Sequence, residues 1–206
     1  MPSLVLNYLA HLFLAENNAA SRIGNLLGDF VTGRPEEIQL PPEIVAGIIR
    51  HRTIDRLTDD HPAVIAARDL FTDERRRFSN AILDICFDHF LANSWSQLHP
   101  LPLRDFLDQS YDDLRTHRKW LPASLSDTLD ERIADDWLGH YATETGLQKV
   151  FNRVAERRPA CAAVATAMID FRANREVFES VFHTLIPDLR AQLVDLGPER
   201  LAVEAL

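Results

Sequence analysis

Apolar residues recur along this chain at every third or fourth position, which is the spacing of amphipathic α-helices, and no segment alternates as a half-buried strand would. Prolines punctuate the pattern, while glycine is scarce, with seven in the chain. This composition disfavours a turn-rich β fold. We therefore predict an all-α fold, a single-domain helical bundle over 1–206, with helices at 4–15, 19–30, 41–57, 73–97, 102–120, 127–141, 145–157, 159–183 and 187–196.

Several of these predicted helices carry recognisable start signals. Pro42 and Glu43 suit the first turn of a helix. A backbone N–H in this turn has no partner within the helix, so proline can occupy the position, and an acidic side chain there interacts favourably with the positive end of the helix dipole. Thr72 is the predicted N-cap of the helix over 73–97. Thr145 and Gln148 have the spacing of a capping box.

The helix predicted over 73–97 combines an apolar surface with buried charge. From position 81 to position 92 every residue is apolar except Asp84, Asp88 and His89. A helix that is apolar nearly all round is typically a central, buried one. Neighbouring buried carboxylates repel each other unless a cation or a proton lies between them. This helix therefore suggests a cation site as well as a core position.

The three preceding helices also place polar residues on apolar stripes or at one-turn spacing. These residues are His11 in the first helix, Asn25 and Asp29 in the second, and His51 and Asp55 in the third. Each has an ordinary alternative, such as a hydrogen-bonded core histidine, an i,i+4 pair or a salt bridge to a nearby arginine. Their concentration in the first half of the chain favours a divalent-metal site built from carboxylates and imidazoles inside a helical bundle.

Charge and cysteine content narrow the function classes. The formal net charge is −9, which argues against nucleic-acid binding. Cys86 and Cys161 do not have zinc-site spacing, and we expect two buried free thiols. The apolar N-terminus lacks a positively charged leader region, and no uncharged run approaches the ~18 residues of a membrane span. We expect a cytoplasmic protein without membrane contact; nothing in the sequence indicates its oligomeric state.

Other catalytic signatures are absent from the sequence. No GxSxG elbow occurs, which removes the main signal for serine hydrolysis, and neither a P-loop nor a GxGxxG motif is present. Metal-assisted hydrolysis is thus the enzymatic class that the residues favour.

Six segments together resemble one known family, that of the acyl carrier protein phosphodiesterases. They are NYLAHL at 7–12, GNLLGDF at 24–30, HRTID at 51–55, DHFL at 88–91, WSQL at 95–98 and RRP at 157–159. The resemblance implies a metal-dependent hydrolase that removes 4′-phosphopantetheine from holo acyl carrier protein, a step in prosthetic-group turnover of fatty acid biosynthesis. It also implies an HD-domain-like helical fold, with Mn²⁺ favoured and Mg²⁺ a weaker substitute. The adjacent His-Asp pair of HD enzymes is missing, and Asp88-His89 has the reversed order.

Taken with the buried-charge pattern, the resemblance leads to a set of residue roles. The predicted metal ligands are Asp29, His51, Asp55 and Asp88. Arg52 is predicted to stabilise charge on the phosphoryl oxygens. His11 or His89 is predicted to orient water or to protonate the leaving serine. The ligand and acid–base roles can exchange among the three histidines.

A small acidic carrier protein requires a basic docking surface on its partner. Arg75, Arg76 and Arg77 open the helix predicted over 73–97, an unfavourable place for cations, and we predict that they form this surface. Two other basic clusters are interpreted as solvated helix faces: Arg115, His117, Arg118 and Lys119, and Arg153, Arg157 and Arg158.

Two other functions fit the same residues. One is an HD-type phosphohydrolase that acts on a nucleotide or another small phosphate ester. The other is a non-catalytic helical adaptor that binds an acidic protein, for which substitution of Asp55 or Asp88 would leave partner binding intact.

Overall fold

The computed structural model describes residues 8–157 and 159–204, and every regular element in this part of the chain is helical. The all-α prediction is confirmed. The α-helices are α1 (Tyr8–Leu14), α2 (Ala19–Leu27), α3 (Pro42–Asp59), α4 (Pro62–Arg68), α5 (Asp73–Arg76), α6 (Ser79–Asn93), α7 (Trp95–Leu98), α8 (Leu103–Thr116), α9 (Ala123–Ser126), α10 (Leu129–Ala134), α11 (Glu144–Arg157), α12 (Met168–Ala173), α13 (Arg175–Leu196) and α14 (Arg200–Glu204). Four 3₁₀ segments, Pro35–Glu37, Arg118–Trp120, Gly139–Ala142 and Pro159–Thr166, join them.

Helix α6 is the centre of the fold, as its composition predicts. Its residues from Ala81 to Leu91 are all buried, and α1, α4, α11 and α13 pack around it. Asp84, Asp88 and His89 are buried with the rest of the helix. Cys86 and Cys161 are buried free thiols, which confirms that expectation.

The prediction of a single helix over 73–97 is wrong in its extent. The helix is broken after α5, at Arg77 and Phe78, and again at Ser94. The first break allows α5 to lie against the 3₁₀ segment Pro159–Thr166, while α6 enters the interior. Arg75 of α5 reaches Thr166 of this segment and Asp170 of α12. Thr72 makes no side-chain cap hydrogen bond.

The C-terminal boundaries also differ from those predicted. The region predicted as one helix over 159–183 contains a 3₁₀ segment, α12 and the start of α13, and α13 continues through Pro187 to Leu196. Pro187 is tolerated because it lies on the exposed face, where water can bond the His183 carbonyl that loses its partner. Thr143, not Thr145, caps α11, by accepting a hydrogen bond from Gly146 N at 3.0 Å.

One further difference concerns the N-terminal half. Pro62 is the first residue of α4, a helix that the pattern did not predict. The predicted positions 4–7 of the first helix and Arg158 lie outside the described residues. No helix within the described ranges is long and apolar enough to cross a membrane.

Candidate metal centre

Helices α2 and α3 pack backbone against backbone, and this contact sets the geometry of the candidate centre. A Cβ atom on Gly24 would lie 2.2 Å from the Ile44 carbonyl oxygen and 2.7 Å from Gly47 Cα. Four residues later, a Cβ on Gly28 would lie 2.1 Å from the His51 ring. The two glycine contacts bring Asp29, just beyond α2, beside the imidazole carried by α3.

His11, His51 and Asp55 converge on one point. Their potential ligand atoms all lie within 4.8 Å of one another. His11 Nε2 is 3.1 Å from Asp55 Oδ1, and His51 Nε2 is 3.1 Å from Asp55 Oδ2. The two imidazoles stack with ring centroids 3.8 Å apart. Asp29 stands at the edge of the group, with Oδ1 3.5 Å from His51 Nε2.

Neighbouring groups orient His51 and position the helix that carries His11. His51 Nδ1 donates a hydrogen bond to the Asn25 carbonyl oxygen at 2.7 Å, which leaves Nε2 as the atom facing the carboxylates. Asp88 accepts hydrogen bonds from Leu9 N at 3.0 Å and Ala10 N at 2.7 Å. Asp88 therefore anchors the start of α1, the helix that carries His11, and lies outside the group that converges within 4.8 Å.

Arg52 holds the chain that follows Asp29. Its Nη1 and Nη2 atoms donate to the carbonyl oxygens of Gly33 and Val31, both at 2.9 Å. The guanidinium predicted to contact phosphoryl oxygens is thus engaged with the loop beyond α2.

The electrostatics of the cluster place one proton on His51. Burial lowers the pKa of His51, but Asp29 and Asp55 outweigh it and raise the pKa to about 10. Burial and the charge of His51 lower the pKa of His11, despite Asp55. Burial would raise the pKa of Asp55, but His11 and His51 hold it well below its usual range. In the metal-free protein, a single proton on His51 thus partly compensates the carboxylates.

Unpaired buried atoms show that the cluster suits a cation. His11 Nδ1 and Asp29 Oδ2 are buried and have no polar partner among the described residues. His11 Nε2 and Asp29 Oδ1 are buried as well, and they face Asp55 and His51 without the geometry of a hydrogen bond. Leaving such groups unsatisfied is costly. Imidazole nitrogen and carboxylate oxygen are ligands that divalent first-row metals accept. The residues present therefore fit a divalent metal ion.

His89 has different surroundings. Its Nδ1 bonds the Tyr141 carbonyl oxygen at 2.8 Å, and its ring packs edge-on against Phe90 and Phe171. Burial lowers its pKa. Its Nε2 is buried and without a hydrogen bond among the described residues.

The predicted docking arginines divide into two groups. Arg75 is buried and is engaged by Asp170 and by Thr166 Oγ1, so its inclusion in the docking surface was wrong. The guanidinium stabilises the packing of α5 within the fold. Arg76 and Arg77 are exposed, although Arg76 pairs with Asp69 at 2.9 Å and Arg77 bonds the Ala160 carbonyl oxygen.

Sequence reasoning missed the contribution of Glu199 to this centre. Its buried carboxylate accepts hydrogen bonds from Ser21 Oγ at 2.7 Å and from Asn25 Nδ2 at 3.0 Å. It thereby supports the residue whose carbonyl orients His51. No motif or spacing signals this contact, because the two positions are 174 residues apart.

Comparisons with known proteins agree on one family. The family model described as acyl carrier protein phosphodiesterase matches residues 6–189. Proteins named acyl carrier protein phosphodiesterase from Escherichia coli O139:H28 (strain E24377A / ETEC) and O9:H4 (strain HS) are each 39% identical over 188 residues. The alignment covers 91% of this chain and 97% of each relative. No solved structure matches, so the HD-like arrangement stays a prediction.

Proposed function

Because the chain belongs to the acyl carrier protein phosphodiesterase family, we propose that it hydrolyses holo acyl carrier protein, releasing 4′-phosphopantetheine and leaving a free serine. The observation that carries this proposal is the convergence of His11, His51 and Asp55, with buried ligand atoms that lack hydrogen bonds. Phosphodiester hydrolysis is a reaction for which a divalent cation at such a site is suited.

The proposed ligands are His11, His51 and Asp55, with Asp29 completing the set. His11 thus takes a ligand role in place of the acid–base role considered from the sequence. A divalent ion held here supplies Lewis-acid polarisation of a phosphoryl oxygen and lowers the pKa of water at neutral pH. Mn²⁺ is the proposed ion and Mg²⁺ the substitute, because the donors are nitrogen and oxygen without thiolate.

The remaining predicted residues act by positioning these ligands. Asp88 anchors the start of α1 and thus His11, and Arg52 anchors the loop beyond Asp29. We assign no proton transfer to His89, because Phe90 and Phe171 enclose its ring and Tyr141 occupies Nδ1.

The carrier protein is proposed to approach over the exposed Arg76 and Arg77. Opposite charge speeds association with an acidic partner, so reversal of these charges affects the apparent affinity more than the chemical step. Arg77→Glu is expected to raise KM for holo carrier protein with little change in kcat. An unchanged KM would remove this surface from the proposal.

The deciding experiment follows holo acyl carrier protein by intact mass spectrometry. Purified protein is incubated with the carrier and Mn²⁺, with Mg²⁺, or with excess EDTA. Loss of the phosphopantetheine mass with metal, and none with EDTA, is the expected result. Parallel reactions with nucleotides and small phosphodiesters test the alternative hydrolase, while carrier binding without mass loss would favour an adaptor.

A further inference from the structure

A second feature, a cavity of about 480 Å³, lies between α1, α10, α11 and the 3₁₀ segment Gly139–Ala142. Its inner lining is buried and includes Tyr8, Trp137, Tyr141 and Val150. The volume is within the range of sites that hold small molecules or cofactor-sized groups. None of the residues assigned to the metal centre lines it.

Two donors at the inner end of this cavity lack partners. The Tyr8 hydroxyl and Trp137 Nε1 are buried and make no hydrogen bond among the described residues. Tyr8 and Trp137 pack together with ring centroids 4.9 Å apart. Buried donors are normally satisfied, so this pair indicates a ligand with acceptor atoms.

Three arginines converge on the same cavity. Arg153 pairs with Asp135, whereas Arg132 and Arg157 have no carboxylate oxygen within 4.0 Å in the described ranges. Arg132 lies over the Trp137 ring at 5.3 Å and donates to Thr128 Oγ1 at 2.8 Å. Burial, then the nearby charges of Arg157 and Arg153, lower the pKa of Arg132. These guanidinium groups are thus close enough to repel one another.

The acidic residues of the lining do not neutralise the positive charge of these arginines. Glu131 and Glu156 are exposed at the rim, and neither pairs with a lining arginine within 4.0 Å. Asp135 already forms an ion pair with Arg153. Two uncompensated guanidinium groups beside aromatic rings favour an anionic group, above all a phosphate, because guanidinium donors match its oxygens.

Tyr8 connects the cavity to the metal centre. It lies three residues before His11 on α1, so the two side chains share a face, one helical turn apart. Its ring also stacks against Phe30, the residue after Asp29, with centroids 6.2 Å apart. Phosphopantetheine released at the metal centre would enter the cavity by moving along this face of α1.

We propose that this cavity binds the phosphate-bearing end of the released pantetheine arm, with Arg132 and Arg157 contacting phosphate oxygens and Trp137 packing against the arm. The assignment rests on the proposed function, since it concerns the product of that reaction. Tyr8 and Trp137 supply further donors to the phosphate or to the amide carbonyls of the arm.

The test measures binding to metal-free protein by calorimetry, so that the metal centre supplies no attraction. The probes are 4′-phosphopantetheine, pantetheine without phosphate, and inorganic phosphate. We expect 4′-phosphopantetheine to bind most tightly, and Arg132→Gln and Arg157→Gln each to weaken it about tenfold, because each removes a charge-assisted contact. Arg115→Gln, at an exposed arginine outside the cavity that pairs with Asp112, is the matched control and is expected to bind as the wild type does.

Three results would overturn the assignment: no binding of 4′-phosphopantetheine, wild-type affinity in both cavity variants, or an equal loss in the control. If inorganic phosphate bound as tightly as 4′-phosphopantetheine, the proposed contact between the pantetheine arm and the cavity would be overturned. Hydrolysis of holo carrier protein by the wild type is measured separately with Mn²⁺. If the wild type hydrolyses holo carrier protein but the cavity variants bind 4′-phosphopantetheine as the wild type does, only the cavity assignment is overturned. If binding depends on the two arginines but the wild type does not hydrolyse the carrier, the proposed function is overturned.

Discussion

His51 donates a hydrogen bond from Nδ1 to the backbone carbonyl of Asn25, at 2.7 Å. This bond determines which ring nitrogen is available, because it leaves Nε2 directed at Asp29 and Asp55. The acceptor belongs to α2, the helix that packs backbone to backbone on α3. The packing of α2 on α3 therefore also determines which nitrogen of His51 is available to bind a metal ion.

The first prediction concerns Asp55→Asn. The substitution removes the carboxylate that both His11 and His51 face, so Mn²⁺ affinity should fall by more than the roughly 10–100-fold that loss of an outer partner costs. Calorimetric titration of the apo protein measures this change, and hydrolysis of holo carrier protein should be lost with it. Asp59→Asn is the control, since Asp59 lies one turn further on α3 and bonds Arg68 and Asn80. Equal affinity in the two variants would contradict the ligand assignment.

The second prediction is that metal binding releases a proton. The pKa of His51 in the metal-free protein is raised to about 10, so Nε2 carries a proton at neutral pH that the ion must displace. Mn²⁺ affinity should rise about tenfold per pH unit from neutral pH up to about 10. Calorimetry in buffers of different ionisation enthalpy counts the protons. A pH-independent affinity would be inconsistent with this arrangement.

The same proton makes the stability of the apo protein depend on pH. Because the pKa of His51 is higher in the folded protein than in the unfolded chain, its protonation stabilises the folded state. This stabilisation is complete below pH 6.5 and is lost as the pH rises through about 10. The free energy of unfolding of the metal-free protein should thus decrease from pH 7 to pH 10, by at most about 1.4 kcal/mol per pH unit for this group. Urea titrations of wild type and His51→Gln measure the difference, and the His51→Gln variant should show a smaller decrease.

The third prediction concerns Gly28→Ala. Gly28 has φ −52° and ψ −36°, a conformation that alanine adopts readily, so the backbone itself is not strained. The added Cβ would nevertheless lie 2.1 Å from the His51 ring, and we expect a loss of about 1–3 kcal/mol in unfolding free energy together with weaker metal binding. Thermal and chemical denaturation measure the loss. In a His51→Ala background the contact with the ring is gone and only the 2.7 Å contact with the Cβ of residue 51 remains, so Gly28→Ala should cost less there than in the wild type.

The sequence predicted the helical class and the central position of α6. It also singled out His11, His51 and Asp55, which the structure brings together, because burial of charge on an apolar stripe is visible in the pattern. It did not predict which residues of this pattern converge. Asp88 follows the same pattern as Asp55, yet its oxygens bond backbone amides of α1. Arg75 was misassigned because its partner Asp170 is 95 residues away. Such pairings depend on tertiary packing, which helix periodicity does not encode.

The last prediction concerns Glu199, which lies beyond the residues 6–189 that match the family. Its buried carboxylate accepts hydrogen bonds from Ser21 Oγ and Asn25 Nδ2, and its backbone N donates to Glu16 Oε1 at 2.7 Å. Glu199→Ala leaves both donors without this acceptor, which should cost about 1–3 kcal/mol in unfolding free energy. Because Asn25 orients His51, Mn²⁺ affinity should also fall, by roughly tenfold.

Urea denaturation and calorimetric Mn²⁺ titration of the same preparations separate the two effects of Glu199→Ala. The control is Glu204→Ala, an exposed glutamate on α14 that pairs only with Arg200 among the described residues, at 3.5 Å. It should change neither quantity by more than about 0.5 kcal/mol. Loss of stability with unchanged Mn²⁺ affinity would show that the C-terminal segment supports α2 without acting on His51. Loss of affinity only in Glu199→Ala places that segment among the groups that position the metal ligands.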